Sequence, residues 1–341
     1  MHIPDGYLSP ATAVVMYAAS APFWYRASQK LKTLIAGRLV PRIALFAALS
    51  FVIMMFNIPA PGGTSAHSIG AVLAALVIGP WATVLAISVA LVIQAFFFGD
   101  GGILALGANV FNMAIAMPFV GWFVYRALSG TAPTPSRRIA AAAIAGYVGA
   151  NVAALLTGIE LGLQAALFRD AAGQALYFPY GVEVAVPAML IEHLTIAGIA
   201  EAFVTGGVLA WILRANPEMI AETPAAPRPA RAAIPTWVWA FLGGLIVLTP
   251  LGLLAPGSPW GEWSREELET LGLGYIPAGI DQWSNLWSAP IPDYDIPALN
   301  NPTVAYIGSA VAGMAMVALA ILALGWLLEK RNGKPAQTSQ G

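Results

Sequence analysis

The sequence predicts an all-α polytopic membrane protein, with a seven-helix block followed by two further transmembrane helices. Three observations carry this. The 341-residue chain is 58% apolar and only 10% charged, where a soluble domain carries roughly 25% charged residues. Its mean hydropathy is +0.73. Its apolar runs are of the order of the ~20 residues that a bilayer-spanning helix needs.

Nine apolar segments follow in order, at about 8–25, 43–59, 68–79, 81–98, 108–127, 139–166, 186–213, 235–255 and 303–328. The third is too short to span alone and stops at Gly79-Pro80-Trp81, because proline cannot continue a helix. Segments three and four therefore read as a hairpin with a short, partly inserted first arm. Irregular backbone at that depth is tolerated where it lines a protein cavity. Asn216 to Ile234 is rich in Ala and Pro and reads as a linker. The chain then divides into a bundle at 1–214, a cytoplasmic linker at 215–234, and a second part at 235–341 with an outer loop at about 255–302.

Orientation follows from the basic residues. With the N-terminus outside, Arg26, Lys30, Lys32, Arg38, Arg42, Arg126, Arg137, Arg138, Arg214, Arg228, Arg231, Lys330, Arg331 and Lys334 fall inside, which is 14 of the 16. Only Arg169 and Arg265 fall outside. The expected location is the cell (inner) membrane, with the C-terminus cytoplasmic. A net charge of -1 gives no reason to expect a nucleic-acid partner; the partner is the lipid bilayer.

The chain has no cysteine, so thiolate sites and disulfides are excluded. Any metal must be held by nitrogen and oxygen, and His2, His67 and His193 are the only histidines. The start, Met1-His2-Ile3-Pro4-Asp5, carries no basic segment of a signal peptide. Methionine trimming requires a small second residue, so Met1 is expected to stay, with a free amine. That amine, the His2 amide nitrogen and the His2 imidazole close five- and six-membered chelate rings. Three such nitrogens suit a tetragonal Ni(II) or Cu(II) site. Taken alone, Met-His is an ordinary way to begin a chain.

Context adds weight. The Pro- and Gly-rich run Asn57 to Ser68 reads as a shaped outer loop, and it ends in His67, on the same face as His2. A lone histidine before a helix is commonly a satisfied interfacial residue, but His67 as a fourth nitrogen would complete a planar set. The loop at Phe98 to Asn109 lies on that face too. Asp100 and Ser65 read as supporting groups, and Asp5 as a partner for His2 or for the folded-back N-terminus. Asn109, Asn112 and Gln94 are expected to hydrogen bond across helices, with metal-site support as their other role. Glu160, Glu192, His193 and Glu201 are ionisable groups at or near membrane depth and so functional candidates, as relay groups or partner-helix contacts.

The outer loop carries Glu262, Glu266, Glu267, Glu269, Asp281, Asp293 and Asp295 with Trp260, Trp263, Trp283 and Trp287. It reads either as a solvated acidic face with an interfacial aromatic belt, or as a lid over the first block's mouth. No phosphate-binding glycine loop with lysine, no HExxH and no dinucleotide fingerprint occurs, so no enzyme and no organic cofactor are expected.

The motifs MHIPDGYLSP at 1–10, GTSAHSIG at 63–70 and GDGGILALGANVFNM at 99–113 closely resemble the substrate-binding membrane subunit of energy-coupling factor transporters for nickel and cobalt. The last two helices, with PAGIDQWSNLWSAPIPDYDIP at 277–297, resemble its small accessory subunit, here fused. The resemblance covers nearly the whole chain. It implies a seven-helix substrate-binding bundle, with metal held by Met1, His2 and His67. It also implies a transmembrane coupling subunit and cytoplasmic ATPase subunits as separate partners. The run Gly62-Gly63-Thr64-Ser65-Ala66-His67 favours Ni(II) as the transported substrate; the alternative is Co(II) for corrinoid synthesis. Readings from other classes are a metal-sensing or scaffold membrane protein without transport, and a membrane hydrolase built on Ser65, His67 and Asp100.

Overall fold

The computed structural model describes residues 1–34, 39–60, 63–215, 236–255 and 257–332. Residues 216–234 of the expected linker lie outside them, as do Pro61, Gly62, Arg38, Arg228, Arg231 and Lys334.

Nine apolar segments become nine helices. The first is α1 (Pro10–Leu34). Ser9 opens it: its hydroxyl accepts from Thr12 N at 3.0 Å, satisfying an N–H that the first turn leaves orphaned. The helix continues well past residue 25, where the apolar run was expected to end. Lys and Arg are good helix formers, so leaving the bilayer does not end the helix.

Next comes α2 (Val40–Met54). It stops short of the expected residue 59, because Pro59 pushes Ile58 toward extended backbone. The chain instead forms β1 (Ile58–Ala60) and β2 (Thr64–Ala66), a small antiparallel pair with Ile58 opposite Ala66. What the sequence suggests as a loop is thus a hairpin that aims His67 inward.

The short inserted arm is α3 (Ala71–Ile78), with every residue buried. It ends before Pro80, which opens α4 (Pro80–Phe98). Then follow α5 (Leu106–Ser129), the long α6 (Pro135–Leu167) and α7 (Val182–Ala215). Across α5 and α6, Asn112 Nδ2 donates to Glu160 at 2.8 Å and to Thr157 at 3.1 Å, as expected of polar groups between membrane helices.

The second part contributes α8 (Thr236–Leu254), α9 (Arg265–Thr270), α10 (Ala278–Trp283) and α11 (Pro302–Asn332). Six of these helices (α4 to α8, and α11 through Leu327) are long and apolar enough to cross a membrane. The molecule is a multi-pass membrane protein.

The stretch between α8 and α11 folds over the end of the bundle that carries the N-terminus. Gly279 N donates to Leu176 O at 2.6 Å, and Ile291 N donates to Phe97 O at 2.9 Å. Trp260 and Trp263 make ring contacts within the molecule. They pack on Phe178, with Trp263 stacked at 6.2 Å between ring centroids. Arg265, Glu269 and Asp281 do form an exposed ion cluster, the solvated face expected of part of this loop. Exposed pairs of this kind are screened by solvent and add little to stability.

Candidate metal centre

The N-terminus is threaded into the bundle and pinned by backbone bonds. Ile3 N donates to Asn109 Oδ1 at 2.8 Å, and Asn109 Nδ2 donates to Ile3 O at 3.2 Å. Gly102 N donates to Ile3 O at 2.8 Å. Asp5 takes the second of its two expected roles. Its carboxylate accepts from Ile103 N, Leu104 N and Ala105 N at 2.7 to 3.3 Å, and so ties the N-terminal turn to the loop after α4. The turn at Gly6 has φ +89°, and a Cβ there would lie 2.8 Å from Gly279 O, so the chain passes close beneath the accessory loop.

This threading buries Met1 and His2, at 5% and 2% exposure, and brings His2 to His67. Their ring centroids lie 5.0 Å apart at 32°. Ligand atoms of His2, His67 and Glu262 all lie within 4.8 Å of one another. His2 Nε2 and His67 Nε2 are buried without a hydrogen-bond partner. A buried, unsatisfied polar group costs about 1–3 kcal/mol, so two of them side by side are suited to receive a ligand.

Burial also holds the imidazoles neutral. It pushes His2 down to about 4, against the opposing pull of Glu262. It pushes His67 well below its ordinary value, assisted by the charge of the N-terminus and by His2. Neutral imidazole is the form that binds metal.

Glu262, from the accessory loop, is the group that sequence reasoning did not place here. Its Oε1 accepts from the Met1 amine at 2.5 Å and from His2 N at 2.8 Å. One of seven acids in that loop, it carries no distinguishing local pattern; only the folding-over of the loop selects it. Asp100 Oδ1 lies 3.2 Å from His2 Nδ1, beside the nitrogen that the chelate would use. Asp100 Oδ2 accepts from Tyr294 OH at 2.5 Å and from Gln94 Nε2 at 3.2 Å. Burial raises the Asp100 carboxyl above its usual range, and the bond from Tyr294 opposes this. Gln94 thus reaches the site, the second of its two expected roles.

Ser65 Oγ has no hydrogen-bond partner, so it makes no nucleophile–base bond with His67. Its backbone pairs with Pro259 of the accessory loop. His193 Nδ1 is 2.8 Å from Met189 O of its own helix. A cavity of about 440 Å³ opens beside the histidines, lined among others by Asp100, Glu262, Glu267 and Asp293.

Residues 2–219 match CbiM, described as the cobalt uptake substrate-specific transmembrane region. The chain belongs to the CbiM family. Residues 235–330 match a second family, the PDGLE domain, which is the accessory type. The fused nickel transport protein NikMN of Rhodobacter capsulatus is 49% identical over 337 residues, covering 94% of this chain and 96% of that one. The probable fused nickel transport protein LarMN of Lactiplantibacillus plantarum is 44% identical, covering 95% and 97%. The cobalt transport protein CbiM of Geobacter sulfurreducens is 32% identical over 65% of this chain and 62% of its own. Among solved structures, a truncated transition metal transporter is 53% identical with a TM-score of 0.59, covering 63% of this chain and 99% of that one. As a CbiM-type protein fused to an accessory part, the chain is a nickel or cobalt transport component.

Proposed function

We propose that this chain is the substrate-binding component of an ATP-driven energy-coupling factor importer, and that its substrate is Ni(II). The ion is held by the Met1 amine, the His2 amide nitrogen and imidazole, and the His67 imidazole. The observation that carries this reading is the burial of the N-terminus against two neutral imidazoles, with His2 Nε2 and His67 Nε2 left without partners. Four nitrogens in a plane suit Ni(II). The fused relatives named for nickel, similar to this chain over nearly its full length, support nickel over cobalt. Loading is from outside, where the basic-residue bias places the N-terminus. The acidic cavity draws the cation in. No phosphate-binding motif occurs in the chain, so ATP hydrolysis belongs to separate cytoplasmic ATPases, joined through a transmembrane coupling subunit.

The test is a single-residue extension ahead of Met1, assayed by radioactive nickel accumulation in cells that supply the coupling proteins. Uptake is expected to vanish while the protein stays in the membrane. Wild-type uptake by the extended chain would sink the chelate. Accumulation of nickel and cobalt measured side by side decides the metal; a cobalt rate matching or exceeding that of nickel would overturn the nickel reading.

A further inference from the structure

We propose that Glu201 is the residue that positions His67, an inference that rests on the four-nitrogen reading above. Glu201 sits in α7, about 28 Å along the helix from Val182 at 1.5 Å per residue. It is only 1% exposed. A carboxylate so deep in a membrane protein needs a specific partner. Here the partners are the backbone amides just after His67. Oε2 accepts from Ile69 N at 2.8 Å and from Gly70 N at 3.1 Å, and Oε1 accepts from Gly70 N at 3.0 Å.

These N–H groups belong to the residues that lead into α3. Gly70 has φ +74°, and its carbonyl accepts the first helical bond, from Ala74 N at 3.0 Å. The buried start of a helix leaves its N–H groups without intrahelical acceptors. Glu201 supplies the acceptor, with its carboxyl oxygens at the positive end of α3. On the other side Ser50 Oγ donates to Ile69 O at 2.5 Å. The segment from His67 to Gly70 is therefore held between α2 and α7. The stem of Glu201 is itself rigid: a Cβ on Gly146 of α6 would come within 2.9 Å of Glu201 O, so α6 and α7 are in close contact there.

The imidazole of His67 has no comparable anchor of its own. Its Nδ1 meets only Ser68 O, at 3.2 Å. Its place at the metal is set through the backbone two and three residues further on. Loss of the Glu201 acceptors lets that backbone shift, and the fourth nitrogen leaves the plane. Groups that orient a metal ligand are commonly worth 10- to 100-fold in affinity.

The test is nickel titration of the purified full chain carrying Glu201→Gln, which keeps the side-chain shape and presents an NH2 where an oxygen accepted. Affinity is expected to fall 10- to 100-fold. The ligand-field absorption band of bound nickel is expected to move to longer wavelength, and the same shift is expected in His67→Ala. The deciding step is the double variant. If Glu201 acts through His67, Glu201→Gln costs nothing further in the His67→Ala background. An equal loss in both backgrounds marks general structural damage and overturns the proposal, as does a wild-type spectrum and affinity in Glu201→Gln. Glu201→Asp, too short to reach Gly70, gives a second reading should the glutamine variant not fold. If His67→Ala alone leaves nickel binding at the wild-type level, the four-nitrogen reading fails first, and that single variant shows it.

Discussion

At the residue scale the molecule depends on a few atoms placed by backbone bonds. The Met1 amine and the His2 amide both donate to one oxygen of Glu262, so a ligand binding these nitrogens must replace that oxygen. Glu262→Ala is therefore expected to leave the N-terminus threaded but less restrained, with faster amide hydrogen exchange at residues 2–4. Unchanged exchange would show that Ile3 and Asn109 hold the N-terminus without it. Asp5 acts from the other side of the turn through three backbone donors. Hydrogen bonds to a charged group contribute about 1.5–3 kcal/mol each. Asp5→Ala is expected to lower the melting temperature and to weaken nickel binding at least tenfold. A variant that melts lower but binds nickel normally would restrict Asp5 to stability. His67→Ala is expected to abolish uptake while the protein accumulates in the membrane at normal levels, as checked by transport and membrane content in the same cells.

At the element scale, the inserted hairpin is what makes a site possible. The all-buried α3 ends at Ile78, and the strands β1 and β2 turn the chain back so that His67 faces inward. The accessory helix α11 lies against α2 with little clearance. A Cβ on Gly313 would run into the ring of Phe51, whose other neighbours include Phe98 and Tyr294. Overpacking of this kind costs typically 1–3 kcal/mol. Gly313→Leu is expected to loosen α11 from α2 and lower the melting temperature, with nickel affinity reduced less than by His67→Ala. A fully stable Gly313→Leu protein would show that the contact relaxes at no cost.

At the scale of the whole molecule, the accessory part closes the mouth of the bundle. It supplies Glu262 and Tyr294 to the cavity and packs Trp260 and Trp263 on Phe178. A truncated relative that covers 63% of this chain has a solved structure, so a bundle of this kind folds without such a cover. Removal of residues 236–341 is expected to leave a nickel-binding bundle that loses its ion to a chelator at least tenfold faster; equal rates would argue against any closing role. Much of this architecture is legible in the chain. Long apolar runs declare helices because a bilayer offers no other partner for backbone polar groups. Met1, His2 and His67 stand out because so few nitrogen ligands exist in a chain without cysteine. Glu262 and Tyr294 do not stand out, and Glu201 stands out only as an ionisable group at depth, since their partners are backbone atoms or side chains distant in sequence. The sequence by itself determined the class and the order of the long apolar helices, because composition and hydrophobic run length are local properties. Only the tertiary structure decided which acid faces the N-terminus, which carboxylate holds the His67 segment and that the loop between α8 and α11 is a cover. Those are questions of which distant segments meet, and the packing of buried surfaces answers them.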